Sequence, residues 1–217
     1  MKLPTSVVSA SVRVVLPDTY SNLLSLVKGL SGNTTLTDAE TALVGSFINR
    51  RAYNAYRRNS YWPRYLVLGE ARAASSSVIP FTQSTLNSID TFFRIYDEAP
   101  YVTNSVDEFE FVITNDGAKV ISNTDSLTTF YVDYKKRWDG DYNSTTNQNV
   151  PLEFFHYAAH GAFADFLRYD GQNEKAAAEE AYAESLLVLE LENAMNQRNA
   201  NRAAGRFRSH STSQSRF

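Results

Sequence analysis

The hydrophobic pattern of the chain changes its period twice, and this feature constrains the fold more than any other in the sequence. Apolar residues recur at helical spacing in the first quarter and the last third, whereas the part between them has aromatic and β-branched runs separated by turn residues. The pattern predicts an α+β fold that is mainly α. We expect a four-helix core of two N-terminal and two C-terminal helices, a small antiparallel β-sheet inserted between the pairs, and a flexible C-terminal arm.

Four segments carry the helical pattern, at about residues 19–31, 38–58, 152–169 and 174–197. The second has a clear start, because Thr37 followed by Glu40 is the pattern of a capping box, in which two free amides are satisfied reciprocally. Pro151 suits the first turn of the third helix, and Gly171 suits its end. The last helix has a wide apolar face, which predicts extensive packing.

The β insertion is predicted at about residues 78–135. Its strands are expected near residues 92–96, 108–114, 118–121 and 130–134, where β-branched and aromatic residues concentrate. Asn115-Asp116-Gly117 lies between the second and third of these, and residues that tolerate positive φ favour a tight hairpin there. Residues 139–149 have no periodicity and predict a surface loop.

Composition indicates one soluble domain over residues 1–197. The apolar fraction of 43% and the charged fraction of 21% are ordinary for a globular protein. No apolar run approaches the length of a membrane span or a signal peptide, so we expect no membrane association. The chain has no cysteine, which excludes disulfides, thiolate metal sites and cysteine nucleophiles.

Charge is distributed unevenly along the chain. The net charge is −3, yet the last acidic residue is Glu192, so the segment after it is basic and the rest of the chain is acidic. Residues 198–217 are rich in arginine and serine, which predicts an arm that is disordered alone and orders on a partner. Its predicted partner-binding residues are Arg198, Arg202, Arg206, Phe207, Arg208, Arg216 and Phe217.

Only one pair of residues has the spacing of a metal site. His156 and His160 are four positions apart on a predicted helix, which can place two imidazoles on one ion. The residues between them include no glutamate to activate a bound water, and spacing singles out neither Glu153 nor Asp165 as a third ligand. We therefore expect no metal, no cofactor and no catalytic residue, and we predict that the chain is not an enzyme.

Residues 49–65 interleave arginine with tyrosine and tryptophan. This composition is typical of nucleic-acid surfaces and of protein interface hot spots. A purely structural role, with the aromatic rings on the sheet and the arginines bridging acidic neighbours, is weighed equally with an interface. The candidate subunit-interface residues are Arg50, Arg51, Tyr53, Tyr56, Arg57, Arg58, Tyr61 and Trp62.

The closing helices carry a family resemblance. The segment VPLEFFHYAAHGAFADFLRYDGQNEKAAAEEAYAESLLVLELE, residues 150–192, resembles the last two helices of the tailed-bacteriophage head-to-tail adaptor (connector) family. In that family a Pro-led aromatic helix ends in a short turn and is followed by an alanine- and glutamate-rich helix. Here the turn is Asp170-Gly171-Gln172-Asn173. The predicted second helix and the extension beyond the last helix also suit that layout.

The resemblance implies a structural role in the virion, at the head-tail junction, after assembly in the host cytoplasm. It implies a dodecameric ring of this chain under the portal protein, with the C-terminal arms docked on the portal and the opposite face receiving tail or nozzle proteins. Double-stranded DNA would pass through the channel without specific binding during genome ejection. An acidic body suits such a channel, because like charge repels phosphate. The free protein is then expected to be monomeric or weakly associated, with the portal templating the ring.

Three alternatives stay open at the level of the sequence. The first is a nucleic-acid-binding module that uses the Arg/Tyr-rich segment and the basic arm, although a net acidic body loses the counterion-release energy that dominates such binding. The second is another virion protein, such as a tail-completion or internal ring protein. The third is a hydrolase that uses His156 or His160, which needs a convergent acid or metal that the sequence does not indicate.

Overall fold

The structure is a computed structural model that describes residues 19–32, 35–100, 102, 106–121 and 127–211, with side chains as far as residue 199. Within these ranges the chain has four α-helices and two three-stranded antiparallel sheets, which confirms the predicted α+β class. The helices are α1 (Tyr20–Ser31), α2 (Asp38–Arg58), α3 (Leu152–Tyr169) and α4 (Asn173–Ser211). The strands are β1 (Leu66–Ala73), β2 (Val78–Pro80), β3 (Ile89–Tyr96), β4 (Phe111–Ile113), β5 (Gly117–Val120) and β6 (Thr129–Lys136).

The capping residues explain why two helices begin and end where the sequence predicts. The Thr37 hydroxyl accepts a hydrogen bond from the Glu40 amide at 3.3 Å, and the Glu40 carboxylate accepts one from the Thr37 amide at 2.8 Å. This is the predicted capping box, and α2 has the predicted bounds. Pro151 is the N-cap of α3, and Gly171 follows its end with φ 79°, so α3 also has the predicted bounds.

Helix α3 packs against each of the other three helices. Its inner face is rich in alanine, and Ala158, Ala159 and Ala162 are fully buried, which lets neighbouring backbones approach closely. Aromatic residues fill the wider spaces toward the strands: Trp62 meets the Phe154 ring edge-on at 5.0 Å, and Tyr65 stacks on Phe154 at 6.0 Å. These helices and the adjoining loops share one hydrophobic cluster, the helical cluster.

The strands enclose a second hydrophobic cluster, the strand cluster, made by residues such as Ile95, Phe130 and Val132. The first sheet has the order β1-β6-β3 and the second has the order β2-β5-β4, with all pairs antiparallel. Isolated bridges between Tyr96 and Glu108 and between Ser75 and Val78 connect the two sheets at the ends of β3 and β1. The six strands therefore surround a core of their own.

The predicted hairpin at Asn115-Asp116-Gly117 is confirmed. Ile113 pairs with Ala118, and the Thr114 amide donates to the Gly117 carbonyl at 2.8 Å. Glycine is required at the end of this turn for a reason that local sequence does not reveal. A Cβ at Gly117 would lie 1.9 Å from the Ile79 carbonyl oxygen of β2, so any side chain here would displace the neighbouring strand.

The prediction of one small sheet at residues 78–135 is corrected. There are two sheets, and β1 begins at Leu66, before the predicted insertion. The sequence LVLGEARA lacks β-branched residues after Val67 and contains Glu70 and Arg72, which are poor strand formers on an exposed surface. Arg72 is nevertheless fully buried, because its guanidinium pairs with Glu70 at 2.6 Å and with the Tyr134 hydroxyl at 2.6 Å.

The predicted end of the last helix at residue 197 is also corrected. Helix α4 continues through 39 residues to Ser211, so residues 198–211 of the expected flexible arm have a helical backbone. Ala200, Ala203 and Ala204 are strong helix formers, as is arginine, and they outweigh the single Gly205. An arginine-rich composition is typical of disordered segments, but arginine is equally compatible with a helix. Residues 212–217 lie outside the described residues.

One buried lysine joins the strands to the end of α2. The Lys135 ammonium of β6 donates to the Tyr56 carbonyl at 2.9 Å and to the Asn59 carbonyl at 3.0 Å, and it lies 3.6 Å from the centre of the Tyr56 ring. Carbonyls at a helix C-terminus have no partner within the helix, so a cation there satisfies them. Burial lowers the pKa of Lys135.

The predicted loop at residues 139–149 has neither helix nor strand, but its Tyr142 is buried against Trp138.

Candidate interaction surface

Arg51 stands at the centre of an ion-pair cluster that joins three helices. It lies on the inner side of α2 and is 8% exposed. Its guanidinium donates to both oxygens of Asp165 on α3, at 2.8 and 2.7 Å, and to the Glu180 carboxylate on α4 at 2.7 Å. A planar guanidinium suits this arrangement, because its fixed fork can bind one carboxylate at two points and still reach a second.

Gly161 on α3 makes room for the Arg51 side chain. A Cβ at this position would lie 2.9 Å from Cδ and 3.1 Å from Cγ of Arg51. Any larger residue on α3 would push the arginine away from Asp165. Glycine is therefore needed here because α3 approaches α2 closely, and not because the backbone at Gly161 is left-handed.

The cluster shifts the pKa values of its carboxylates. Burial raises the pKa of Asp165, but hydrogen bonds from Arg51 and Arg50 more than compensate, and the net pKa lies below its usual value. The hydrogen bond from Arg51 lowers the pKa of Glu180, and Arg168 adds to this effect against the opposing effect of burial. Both carboxylates are therefore held in their charged forms.

Three more arginines surround this centre at the surface. Arg50 pairs with Asp165 at 2.8 Å, and Arg168 pairs with Glu180 and, at 3.4 Å, with Asp165. Arg58, the last residue of α2, lies 3.3 Å from Glu184 of α4. The cluster thus fixes the position of α4 relative to α2 and α3.

An open cleft of about 460 Å³ lies beside the ion-pair cluster. Basic residues of α2 form one wall, and acidic residues of α4 form the other. Arg57 is exposed at its rim, and no ion pair joins it to a carboxylate among the described residues. The lining residues are Arg51, Asn54, Arg57, Arg58, Tyr157, Glu180 and Glu184.

The aromatic members of the Arg/Tyr-rich segment are mostly inside the protein. Trp62 is buried and donates from its indole nitrogen to the Ala55 carbonyl at 3.0 Å. Tyr56 is buried and donates from its hydroxyl to the Lys136 carbonyl at 3.0 Å. Tyr61 stacks on Phe93 of β3 at 4.6 Å, whereas Tyr53 is exposed.

These positions divide the candidate subunit-interface residues into two groups. Arg51, Tyr56 and Trp62 are buried and have their partners within the chain. This is the structural role that the sequence allows as an alternative to an interface. The exposed members form the part of the segment that a neighbouring molecule can reach. They are Arg50, Tyr53, Arg57 and Arg58, with Tyr61 half-buried beside them.

The base of the predicted arm contacts this segment. The Arg198 guanidinium of α4 lies 3.6 Å from the centre of the Tyr61 ring, so Arg198 packs against the same chain. Arg202, Arg206, Phe207 and Arg208 lie on the helical continuation of α4, beyond the residues whose side chains are described. Arg216 and Phe217 lie outside the described residues altogether.

The two histidines do not converge on a common site. His160 is half-buried and pairs through Nδ1 with Glu179, and its ring meets Tyr182 edge-on, whereas His156 is exposed beside Phe155. No group of three or more metal-ligating side chains occurs among the described residues. Over the same ranges, no helix is both long and apolar enough to span a membrane.

Sequence reasoning missed the partners of Arg51 and the role of Lys135. Asp165 and Glu180 are 114 and 129 positions from Arg51, and no local pattern links them to it. The only available signal was Gly161 within an otherwise well-formed helix, since a glycine there suggests close packing. Lys135 belongs to the run Lys135-Lys136-Arg137, which reads as a solvated surface.

No family model and no curated protein matches this chain.

Proposed function

We propose that the chain is a structural head-to-tail adaptor of a tailed-phage virion, with α1 to α4 as its four-helix core. In this role twelve copies form a ring under the portal protein, and the C-terminal arms dock on the portal. The other face of the ring receives tail or nozzle proteins, and double-stranded DNA passes through the channel during ejection. The work is mechanical and needs no cofactor.

The observation that carries the proposal is the length and charge of α4. Its 39 residues span about 58 Å, whereas the 18 residues of α3 span about 27 Å. Because α4 packs along α3 from a tight turn at its start, its C-terminal half extends beyond α3. This half begins near the last acidic residue of the chain, Glu192, and carries Arg198, Arg202, Arg206 and Arg208. A long basic helix of this kind suits docking on an acidic groove of a larger assembly.

The ion-pair cluster supports the same role. Arg51, Asp165 and Glu180 fix α4 against α2 and α3, so the base of the projecting helix is held firmly. Arg198 on Tyr61 extends this attachment along α4. A partner that binds the distal part of the helix is therefore connected directly to the body of the subunit.

The role can be tested by binding of the protein to the purified portal ring of the same virus. The test variant replaces Arg202, Arg206 and Arg208 with serine, and the control variant replaces the exposed Arg64, Arg137 and Lys175 with serine, so both lose the same charge. Sedimentation velocity measures the complex. We expect the control to bind like the unmodified protein and the arm variant to lose about tenfold or more in affinity. Equal binding by both variants would contradict the assigned role of the arm.

A second candidate function is a nucleic-acid-binding module. It is favoured by Arg57 and Arg64, which are exposed and lack an ion pair with any carboxylate in the described part of the chain. The discriminating measurement is binding to duplex DNA at increasing salt. Affinity that falls steeply with salt and is lost when both arginines are replaced with serine supports this function over the adaptor role.

A further inference from the structure

The cleft beside the ion-pair cluster carries more positive than negative charge. Its walls and the cluster together contain five arginines and three carboxylates, which leaves two positive charges in excess. The arginines are Arg50, Arg51, Arg57, Arg58 and Arg168, and the carboxylates are Asp165, Glu180 and Glu184. Arg57 is exposed, and no ion pair joins it to a carboxylate in the described part of the chain. We call the exposed arginines Arg50, Arg57 and Arg58 the basic rim.

A surface of opposite charge lies beyond the end of β3. Its exposed carboxylates belong to Glu98, Asp107, Glu108 and Glu110, and we call them the acidic strip. The Phe109 amide donates to the Ile95 carbonyl at 2.8 Å, and the Asp107 amide donates to the Asp97 carboxylate at 3.0 Å. These hydrogen bonds hold the segment before β4 against the end of β3, so the strip is built on a paired backbone and not on a free loop.

The acidic strip has little compensation from basic side chains. Arg94 lies 3.9 Å from Glu108, and none of the other three carboxylates pairs with a cation among the described residues. Phe109 packs its ring against Phe130 at 5.8 Å, whereas Glu108 and Glu110 on either side of it are exposed. Four carboxylates and one arginine leave three negative charges in excess, so the strip is complementary in charge to the basic rim.

Within one chain, the acidic strip lies away from the basic rim. Strand β3 begins beside the end of α2, because Ile89 pairs with Lys136, whose carbonyl accepts a hydrogen bond from the Tyr56 hydroxyl at 3.0 Å. The eight residues of β3 then extend about 23 Å to Tyr96, which is bridged to Glu108 of the strip. No ion pair joins the two surfaces within the described ranges. The strip is therefore placed to meet the basic rim of another molecule.

We propose that the acidic strip of one copy docks on the basic rim of the next copy, with Glu108 and Glu110 facing Arg57 at the mouth of the cleft. Every copy carries both surfaces, so the contact is heterologous and closes into a ring when the rotation allows. The proposal names the subunit contact of the adaptor ring and rests on that proposed function. Exposed ion pairs are individually weak, so the contact is weak between free copies and becomes stable where the portal holds neighbours side by side.

Zero-length cross-linking tests this contact directly, because a carbodiimide joins a carboxylate only to an amine that touches it. Arg57→Lys supplies the amine and keeps the positive charge of the basic rim. Full-length protein with this substitution is mixed in equal amounts with the same protein in isotope-labelled form, and the mixture is cross-linked at low salt both alone and on the portal ring. We expect mass spectrometry to find position 57 joined to residues 107–110, in pairs of peptides of which one is labelled and the other is not.

Arg64→Lys is the matched control, since Arg64 is also exposed and has no ion pair with a carboxylate in the described part of the chain. We expect about tenfold more mixed-label link to the strip from position 57 than from position 64, because docked surfaces have a high effective concentration. Links whose two peptides always carry the same label would overturn the assignment to a neighbouring copy. Equal yields from the two positions, or no mixed-label link in either sample, would overturn the proposal as a whole.

Exchange of charges supplies a second test that a folding defect cannot imitate. Arg57→Glu or Glu110→Arg alone should weaken the association of concentrated protein about tenfold, because like charges then face each other, and the two substitutions together should restore most of it. Sedimentation velocity at low salt measures this association without the portal. Failure of the double variant to recover would contradict the pairing. The adaptor role is tested separately, by binding of unmodified protein to the portal ring, so either proposal can fail without the other.

Discussion

At the scale of single residues, the packing of α2, α3 and α4 depends on one arginine, which pairs with two carboxylates on two other helices. Arg51 and Asp165 are both buried, so each neutralises a charge that the interior would otherwise not accommodate. Glu180 shares the same guanidinium and brings α4 into the cluster. The nearby pair of Arg58 and Glu184 is exposed and longer, so it contributes much less.

Replacement of Arg51 by methionine is expected to lower the free energy of unfolding by about 3 kcal/mol, because Asp165 then keeps a buried charge with only its peripheral partners. Arg58→Met is the matched control and should cost less than about 1 kcal/mol. Urea unfolding followed by circular dichroism measures both. Equal losses of unfolding free energy in the two variants would contradict a larger contribution from the buried ion pair than from the exposed one.

The ion-pair cluster also predicts how stability depends on pH. The pKa values of Asp165 and Glu180 are lower in the folded protein than in the unfolded chain, so the unfolded chain takes up protons first as the pH falls. Their contribution is complete above about pH 5 and is lost as the pH falls through the lowered folded values. Unfolding free energies measured from pH 7 to pH 3 should fall less steeply in Asp165→Asn than in the unmodified protein. An unchanged slope would contradict this assignment.

The ends of the elements show which parts of the fold the sequence could predict. The bounds of α2 and α3 follow from local chemistry, since Thr37 with Glu40, Pro151 and Gly171 act within a few residues of themselves. Strand β1 could not be recognised in this way, because arginine is a poor strand former, and the contacts of Arg72 with Glu70 and Tyr134 appear only in the folded protein. The end of α4 does not follow from local sequence, because arginine is compatible with both an exposed helix and a disordered tail.

The contact between Lys135 and the end of α2 is a second feature at the element scale. Lys135→Met is expected to lower the free energy of unfolding by about 2 kcal/mol, because the carbonyls of Tyr56 and Asn59 lose a charged donor. Lys136→Met is the matched control, since Lys136 reaches Asp139 only at 4.0 Å. Thermal or urea unfolding measures both, and a larger loss in the control would contradict the capping role.

The distal part of α4 is expected to add little to the stability of the body. Ala194 is the last buried side chain among the described residues of α4, and Arg198 is the last with a described partner. A chain that ends at Asn199 should therefore unfold within about 0.5 kcal/mol of the full-length protein, with less helical circular dichroism per chain. A loss of several kcal/mol would mean that the distal helix packs on the body and is not presented to a partner.

At the scale of the whole molecule, the sequence could predict which residue types make up the candidate site, but not which of them are exposed. The sequence indicated that arginine and tyrosine concentrate in residues 49–65 and that arginines follow Glu192. It could not indicate which of these side chains are exposed, because the burial of Arg51 and Trp62 depends on α3 and α4, which are 90 or more positions away in the chain. The division into inner and outer residues comes from tertiary packing, on α3 and α4 and on strand residues such as Phe93.

We propose that the chain forms a ring on the portal through its distal helix. Electron microscopy of the purified portal ring of the same virus, mixed with full-length protein or with the chain that ends at Asn199, tests it most directly. We expect an added ring layer with the full-length protein and none with the shortened chain, and we expect the free protein to be monomeric or weakly associated without the portal. A portal that gains no layer from the full-length protein would contradict the adaptor role, and a layer formed equally by both chains would contradict the role of the arm.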